Sequence, residues 1–191
     1  MSYELIAIGA SWGGLYAISE LLDGLEPAVD APLVLVQHRD PASGRGALVL
    51  LLQRHVERPV LEPDDKQPIE RGHVYVAPAD YHLLVENGHF SLSTDARVQF
   101  ARPSIDVLFE SVAESYAERA IGIVLTGANV DGARGLAAIK AAGGVAIVQE
   151  PASALRRTMP EAALAATETD AILPVGEISR FLYDLCVGAP R

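Results

Sequence analysis

The sequence is poor in cysteine and in basic residues. Its 191 residues include one cysteine, Cys186, which excludes an internal disulfide and every zinc site built from several cysteines. Lys and Arg number 15 against 25 Asp and Glu, which gives a net charge of −10 at pH 7. Because nucleic acids are bound by clustered positive charges that neutralise phosphates, this balance disfavours a nucleic-acid partner.

Long hydrophobic runs are also absent. No apolar run approaches the roughly 20 residues that a membrane-spanning helix requires. The segment Met1–Glu4 lacks the basic start of a secretory signal, and the apolar stretch after it stops at Gly9. The sequence therefore predicts no membrane insertion and a cytoplasmic location. With half of its residues hydrophobic, the chain is typical of a globular protein, and its length suits one domain.

Short β-branched and aliphatic runs alternate with longer segments of helical periodicity, which is the pattern of βαβ units around a parallel sheet. Strands are predicted at residues 5–8, 33–36, 74–76, 121–125, 145–148 and 172–173. In the middle of the chain, the runs 83–85 and 90–92 flank Asn87-Gly88. This dipeptide favours a tight hairpin, because both turn residues must adopt a positive φ. The sequence therefore predicts one α/β domain in which an antiparallel hairpin interrupts a mostly parallel sheet.

Two predicted helices have capping signals at their N-termini. Ser104 is a candidate N-cap for a helix with apolar residues on one face. Thr158 and Glu161 have the spacing of a capping box, and Pro160 stands near the predicted helix start. Both patterns predict a helix that begins just after the capping side chain.

Three polar residues follow three of the predicted parallel strands. Ser11 follows the first strand, His38 the second, and Asp131 the strand at 121–125. Because open α/β sheets bind ligands at the carboxyl ends of their strands, we expect these side chains to converge. A hydroxyl, an imidazole and a carboxylate within hydrogen-bonding reach form a catalytic triad. The sequence thus predicts a serine hydrolase with Ser11 as nucleophile, His38 as base and Asp131 as the residue that orients the base.

Ser11 lies in the segment Gly9–Gly14, which contains G-x-S-x-G between a predicted strand and a predicted helix. That arrangement is typical of a nucleophile elbow, and free amides at the start of the next helix can stabilise an oxyanion. The same residues also fit a glycine-rich turn that binds phosphate at a helix N-terminus, with Ser11 as a cap. The pattern alone leaves both interpretations open.

His38 and Asp131 also have competing interpretations. The other four histidines fit surface or core roles better, since they end a helix, precede a strand or flank the hairpin: His55, His73, His82 and His89. Asp131 also suits the N-cap of the following helix. Asp40 lies too near His38 in sequence to reach it from another strand, and Asp106 suits the first turn of a helix. We therefore favour Asp131 as the partner of His38.

The order Ser, His, Asp along the chain differs from that of the α/β-hydrolases. It occurs together with a set of motifs from one family: the chain resembles the catalytic domain of the CheB protein-glutamate methylesterases of bacterial chemotaxis. The matching stretches, in family order, are GASWGG (9–14), VQH (36–38), GHVYVAP (72–78), RPSIDVLF (102–109), VLTG (124–127), DGARG (131–135) and MPEA (159–162).

The resemblance implies a three-layer, doubly wound α/β fold with the triad on Ser11, His38 and Asp131. It implies hydrolysis of γ-glutamyl methyl esters on the cytoplasmic helices of chemoreceptors to glutamate and methanol, with deamidation of receptor glutamines as a second activity. No cofactor or metal is implied. A single methylesterase-like catalytic domain is expected over residues 1–191, without the receiver domain that members often carry.

Further residues near the strand ends are expected to contact the oxyanion or the substrate. These residues are Trp12, Gly13, Ala128, Met159 and Arg102. Several arginines lie in or near the same loops and are candidates for a basic rim that attracts an acidic receptor helix, although solvated surface positions suit them equally well. These arginines are Arg39, Arg102, Arg156 and Arg157.

The chain departs from the family at Trp12, where Thr is common, at Arg39, where Met is frequent, and at residues 128–130, where Ala-Asn-Val replaces Met-Gly-Asn. These positions are expected to line the cleft and to affect substrate range and rate. Other functions stay open: a triad hydrolase for a different ester or amide, a non-catalytic anion- or nucleotide-binding module, and a degenerate partner that binds receptors without turnover. The absence of a P-loop lysine and of G-x-G-x-x-G spacing disfavours the binding module.

Overall fold

The computed structural model describes residues 3–40, 42, 44 and 46–188. The strands within these residues are β1 (Leu5–Ala10), β2 (Leu33–Gln37), β3 (Val60–Leu61), β4 (Val74–Val76), β5 (His82–Glu86), β6 (His89–Ser93), β7 (Ala120–Val124), β8 (Val145–Gln149) and β9 (Ala171–Leu173). The α-helices are α1 (Gly14–Asp23), α2 (Ala47–Leu52), α3 (Ile105–Tyr116), α4 (Ala133–Ala141), α5 (Thr158–Ala166) and α6 (Val175–Val187). Within this part of the chain, no helix combines the length and the hydropathy that crossing a membrane requires.

Seven strands form one sheet in the order β3-β4-β2-β1-β7-β8-β9, and each neighbouring pair is parallel. From β1 the chain moves to β2 on one side, and it later resumes with β7 on the other side. The carboxyl ends of β1 and β7 therefore flank the point at which the winding direction reverses. Open α/β sheets bind their ligands at such a point.

Helices cover both faces of this sheet. One apolar layer packs α1, α2 and α6 against it, and the opposite layer packs α3, α4, α5 and the β5–β6 hairpin. Strand β1 contributes alternately to both layers, with Ile6 and Ile8 in the first and Leu5 and Ala7 in the second. Because β1 is buried on both faces, its sequence is a continuous apolar run. The predicted three-layer, doubly wound α/β fold is confirmed.

The predicted hairpin is also confirmed. Strands β5 and β6 pair antiparallel with Glu86 opposite His89, and the two turn residues Asn87 and Gly88 have φ values of 50° and 78°. The hairpin forms its own two-stranded sheet and packs on one face of the large sheet. The hairpin is inserted in the sequence between β4 and β7, but its strands do not pair with the strands of the large sheet.

The two helix-start signals differ in outcome. Ser104 caps α3 as predicted, because its Oγ accepts a hydrogen bond from the N–H of Val107 at 3.4 Å. The capping box at Thr158 is wrong: α5 already begins at Thr158, its N-cap position is Arg157, and no side chain caps it. Strand β3 was not predicted, since its two residues are too few to show a periodicity.

Helices α3 and α4 approach each other closely at Gly135. A Cβ atom on this glycine would lie 2.5 Å from Cβ of Phe109 and 3.0 Å from the carbonyl oxygen of Asp106. Gly135→Ala must therefore push the two helices apart, and we expect it to lower the free energy of unfolding by about 1–3 kcal/mol. Helix propensity alone would favour alanine by roughly 1 kcal/mol, so the sign of the change is informative. Urea unfolding measures it.

Gly176→Ala in α6 is the matched control. A Cβ atom there meets the flexible end of the Glu20 side chain at 3.1 Å and no other part of the structure within contact distance outside its own helix. We expect this variant to unfold at the same or a higher urea concentration than the wild type. Equal stabilities of the two alanine variants would contradict a tight contact between α3 and α4.

Candidate active site

Ser11 and His38 continue directly from neighbouring strands of the sheet. The N–H of Ser11, after β1, donates to the carbonyl oxygen of Thr126 beyond β7 at 2.9 Å. The N–H of His38, after β2, donates to the carbonyl oxygen of Ala10 at 3.0 Å. The parallel ladder thus extends past the strand ends and holds the backbones of both residues in register.

Gln37 joins the loops that carry Ser11 and His38. Its Nε2 donates to the carbonyl oxygens of Ser11 at 2.9 Å and of His38 at 2.8 Å. Its Oε1 lies 2.0 Å from the position of a Cβ atom on Gly14, so the amide fits only because residue 14 is glycine. This role was not predicted, although a polar residue that ends an otherwise apolar strand is a signal for it.

The imidazole of His38 is paired with the carboxylate of Asp131. The Nε2 atom of His38 lies 2.7 Å from Oδ2 of Asp131. The His38 side chain is 13% exposed, whereas the Asp131 side chain is fully buried. The carboxylate therefore orients a ring that solvent and substrate can reach, and it stabilises any positive charge on that ring.

The same carboxylate caps the N-terminus of α3. It accepts hydrogen bonds from the N–H groups of Ile105 at 2.7 Å and Asp106 at 3.0 Å, and from the hydroxyl of Ser104 at 2.8 Å. The interpretation of Asp131 as the N-cap of the following helix is therefore wrong. Asp131 lies just before α4, but its side chain crosses to the neighbouring helix, whose N–H groups have no partner of their own within the helix.

Asp106 supplies the corresponding cap for α4. Its Oδ1 accepts hydrogen bonds from the N–H groups of Gly132 at 2.9 Å and Gly135 at 2.8 Å. The two helices thus exchange their capping carboxylates, since Asp106 lies in the first turn of α3 and Asp131 precedes α4. Because the side chain of Asp106 is bonded to the N-terminus of α4, Asp106 is not the partner of His38.

The two carboxylates have opposite electrostatic environments. Burial raises the pKa of Asp131, but hydrogen bonds from His38 and from the N–H groups of Asp106 and Ile105 outweigh it, so that the pKa lies below its usual value. Burial also raises the pKa of Asp106, and the nearby charge of Asp131 adds to this effect. There the N–H groups and Arg134 are not enough to offset it. Asp131 therefore stays ionised more readily than Asp106.

Asn129 engages the other ring nitrogen of His38. Its Oδ1 accepts a hydrogen bond from the N–H of Asp131 at 3.2 Å, and its Nδ2 lies 3.3 Å from Nδ1 of His38. An ionised Asp131 can only accept, so Nε2 of His38 carries the proton, and Nδ1 accepts from the amide. The nitrogen whose lone pair can act as a base is therefore Nδ1. A role for Asn129 was not predicted beyond a place in the cleft.

Ser11 stands in a tight turn that differs from the expected nucleophile elbow. The N–H of Gly14 donates to the carbonyl oxygen of Ser11 at 2.8 Å, and the left-handed φ of 81° falls on Gly13. Ser11 itself has no positive φ, so the strained serine of an elbow is absent. The alternative with Ser11 as the helix cap is also wrong, because the N-cap of α1 is Gly13.

Because Gly127 has no side chain, the loop that carries Ser11 can pack closely against α5. A Cβ atom on Gly127 would lie 1.8 Å from Sδ of Met159 and 2.9 Å from Cβ of Ser11. Met159 is 1% exposed, so its contribution is to pack beneath the site. Among the described residues, no acceptor is bonded to the N–H groups of Trp12, Gly13 and Ala128. These amides are available to an oxyanion beside Ser11.

The four arginines expected at the rim occupy different environments. The side chain of Arg39 is 9% exposed, and its guanidinium is bonded to Glu62 at 2.6 Å and to the carbonyl oxygen of Ala77 at 2.9 Å. Arg102 bonds to Asp80 at 2.8 Å and to two backbone carbonyl oxygens. Each of the two is paired with a carboxylate, and both line the cavity beside His38, so the basic rim stays a prediction.

The remaining two arginines are exposed. Arg156 lies over the ring of Trp12 at 5.6 Å, and Trp12 is itself 62% exposed. Arg157 is 3.6 Å from Glu161 on the outer surface of α5. Beside His38 there is also a cavity of about 250 Å³, lined by side chains that include Asn129, Phe100 and Arg102. Within the described part of the chain, no cluster of three or more His, Cys, Asp or Glu side chains could hold a metal ion.

Replacing Asp106 tests the exchange of caps. A carboxyl group whose pKa is raised by folding makes the protein less stable as the pH rises from its usual value of 3.8 through the raised value. Asp106→Asn keeps an oxygen acceptor for the two N–H groups and removes the buried charge. We expect the free energy of unfolding of the variant, relative to that of the wild type, to increase as the pH is raised from about 3.5 to about 8. Urea unfolding at both pH values measures this.

The control for this experiment is Asp95→Asn, which changes an exposed aspartate beyond the hairpin. The pH-dependent gain in stability of Asp106→Asn should exceed any gain of this variant. If Asp106→Asn shows the same pH dependence as the wild type, the raised pKa of Asp106 is wrong.

Comparison with known proteins identifies one family. The family described as CheB methylesterase matches residues 6–182. A protein of Leptospira interrogans, named for protein-glutamate methylesterase and protein-glutamine glutaminase, is 44% identical over 186 residues, which cover 97% of this chain and 96% of that protein. The protein-glutamate methylesterase/protein-glutamine glutaminase 2 of Rhizobium johnstonii is 39% identical over 180 residues, which cover 92% of this chain and 49% of that protein.

A solved structure has the same fold. The crystal structure of the Thermotoga maritima CheB methylesterase catalytic domain superposes with a TM-score of 0.90 and 30% sequence identity. The match covers 97% of this chain and 100% of that chain. The similarity therefore extends over nearly the whole arrangement of sheet, helices and hairpin.

Proposed function

The chain belongs to the CheB methylesterase family, and we propose that it is a serine hydrolase that converts γ-glutamyl methyl esters of chemoreceptors to glutamate and methanol. Ser11 is the nucleophile, His38 the general base and Asp131 the residue that orients the base. One observation carries this proposal: the 2.7 Å pairing of His38 with the buried Asp131, in a loop adjacent to Ser11.

The reaction follows from the arrangement of hydrogen bonds at His38. Because Nε2 donates to Asp131, the lone pair of Nδ1 takes the proton of the Ser11 hydroxyl as Oγ attacks the ester carbonyl. The carboxylate of Asp131 stabilises the imidazolium that forms. Nδ1–H then protonates the departing methoxide, and methanol leaves an acyl-enzyme on Ser11. A water molecule deprotonated by Nδ1 attacks this acyl-enzyme, and glutamate is released with Ser11 restored.

The tetrahedral intermediates of both steps carry an oxyanion. The unbonded N–H groups of Trp12 and Gly13 are at the start of α1, and that of Ala128 is in the loop after β7. Backbone N–H groups without a competing acceptor are available to stabilise such a charge. The same steps on a glutamine side chain would release ammonia, and we include this deamidation in the proposal.

The proposed partner is the cytoplasmic helical region of a methylated chemoreceptor, and the proposed location is therefore the cytoplasm. Exposed apolar side chains near the triad loops, such as Trp12 and the 94% exposed Phe100, suit the packing of a partner helix. The exposed Arg156 beside Trp12 can attract acidic side chains on that helix. The negative charge of −10 disfavours a nucleic-acid partner.

Methanol release from a methylated receptor fragment tests the reaction. We expect Ser11→Ala to lower the rate by at least about 10³-fold, as for other serine nucleophiles. Ser19→Ala, on the adjacent helix α1, is the control and should keep the wild-type rate. If the wild type releases no methanol but hydrolyses small esters in a Ser11-dependent way, the substrate is a different ester. No hydrolysis of either substrate would contradict an esterase.

Asp131→Asn tests the role of the buried carboxylate. The amide presents both a donor and an acceptor to His38, so the required form of the ring is no longer favoured, and we expect kcat to fall by about 10³–10⁴-fold. Asp106→Asn serves as the control, since Asp106 is a neighbouring buried carboxylate without contact to His38. If the two variants lose the same activity, the loss comes from helix capping and the assignment of Asp131 is wrong.

A further inference from the structure

Two side chains require the same lone pair of His38. In the neutral ring with a proton on Nε2, Nδ1 has one lone pair, which lies in the plane of the ring. In this structure the amide of Asn129 is within hydrogen-bonding distance of this nitrogen, with its Nδ2 at 3.3 Å from Nδ1. Ser11 and His38 are both in the described part of the chain, and no hydrogen bond joins the hydroxyl to the ring. The base is thus occupied before any substrate binds.

We propose that Asn129 is a positioning residue that holds Nδ1 of His38 in the resting enzyme, so that Ser11 can transfer its proton only after the amide has been released. The inference rests on the proposed function, because it concerns the first step of that reaction. In this proposal Asn129 controls how fast Ser11 is deprotonated, in addition to the triad residues.

The orientation of the Asn129 amide follows from the groups that it contacts. The N–H of Asp131 can only donate, so the Asn129 atom at 3.2 Å from it must be the oxygen, and the NH₂ group must face His38. Asp131 is itself fixed by the N-terminus of α3. A closed ring of hydrogen bonds therefore connects the carboxylate, the imidazole and the amide.

The position of Asn129 allows a substrate to release it. The side chain is partly exposed and lines the 250 Å³ cavity beside His38, together with the exposed Phe100. A substrate carbonyl that enters this cavity offers the NH₂ group a new acceptor. The lone pair of Nδ1 then becomes free for the hydroxyl of Ser11.

Phosphorylation of Ser11 by diisopropyl fluorophosphate isolates this step from receptor binding. The Oγ–P bond forms as the P–F bond breaks, fluoride leaves, and the proton of the hydroxyl passes to Nδ1. The second-order rate constant is followed by intact-protein mass spectrometry. For Asn129→Ala we expect it to rise about 3- to 10-fold, because one net hydrogen bond no longer competes for the base. Because Asn129→Ala also widens the cavity beside His38, a variant that keeps the side-chain volume is needed to separate the two causes.

Asn129→Leu keeps the volume of the side chain without its hydrogen bonds and should show the same increase. Ser19→Ala, on helix α1, is the control and should keep the wild-type rate, while Ser11→Ala should not be labelled. Ser11-dependent labelling of the wild type with equal or slower labelling of both Asn129 variants would overturn the inference and leave the proposed function intact. If Ser11 is labelled in no variant while the wild type releases methanol from the receptor fragment, the inference fails and the proposed function stands. If neither labelling nor methanol release occurs, both fail.

Discussion

The carboxylate of Asp131 lies between an imidazole and the N-terminus of α3, and the geometry of the site depends on this position. Its two oxygens receive donors from Ser104, Ile105 and Asp106 as well as from His38. A buried carboxylate without such donors would lose its charge, because burial alone raises its pKa. The His38 ring and the helix end together keep Asp131 ionised, and an ionised Asp131 requires a proton on Nε2 of His38.

The exchange of caps between α3 and α4 links this interaction to the packing of the second helical layer. Asp106 closes α4 while Asp131 closes α3, and Gly135 allows the helices to approach closely enough for both bonds. Burial, together with the nearby charge of Asp131, raises the pKa of Asp106, whereas the pKa of Asp131 is lowered. The asymmetry follows from the partner that only Asp131 has, the imidazole of His38.

Much of the fold was predictable because its signals are local. The apolar run of β1, the Asn87-Gly88 turn and the cap at Ser104 each act within a few residues, and all three have the predicted structure. The capping box at Thr158 failed because its spacing also occurs inside a helix, and only the position of α5 decides which applies. The arginines show the same limit, since Arg39 and Arg102 are paired with carboxylates that are distant in sequence.

For the site, the sequence by itself determined which residues stand at the carboxyl ends of strands: Ser11 after β1, His38 after β2 and Asp131 beyond β7. The strand order decided that these ends are neighbours, and the side-chain packing decided that Asp131 caps α3 and that Asn129 contacts Nδ1. Alternation and turn preferences depend on adjacent residues. The hydrogen bond between His38 and Asp131, by contrast, depends on the order of the strands in the whole sheet. No local sequence pattern determines that order.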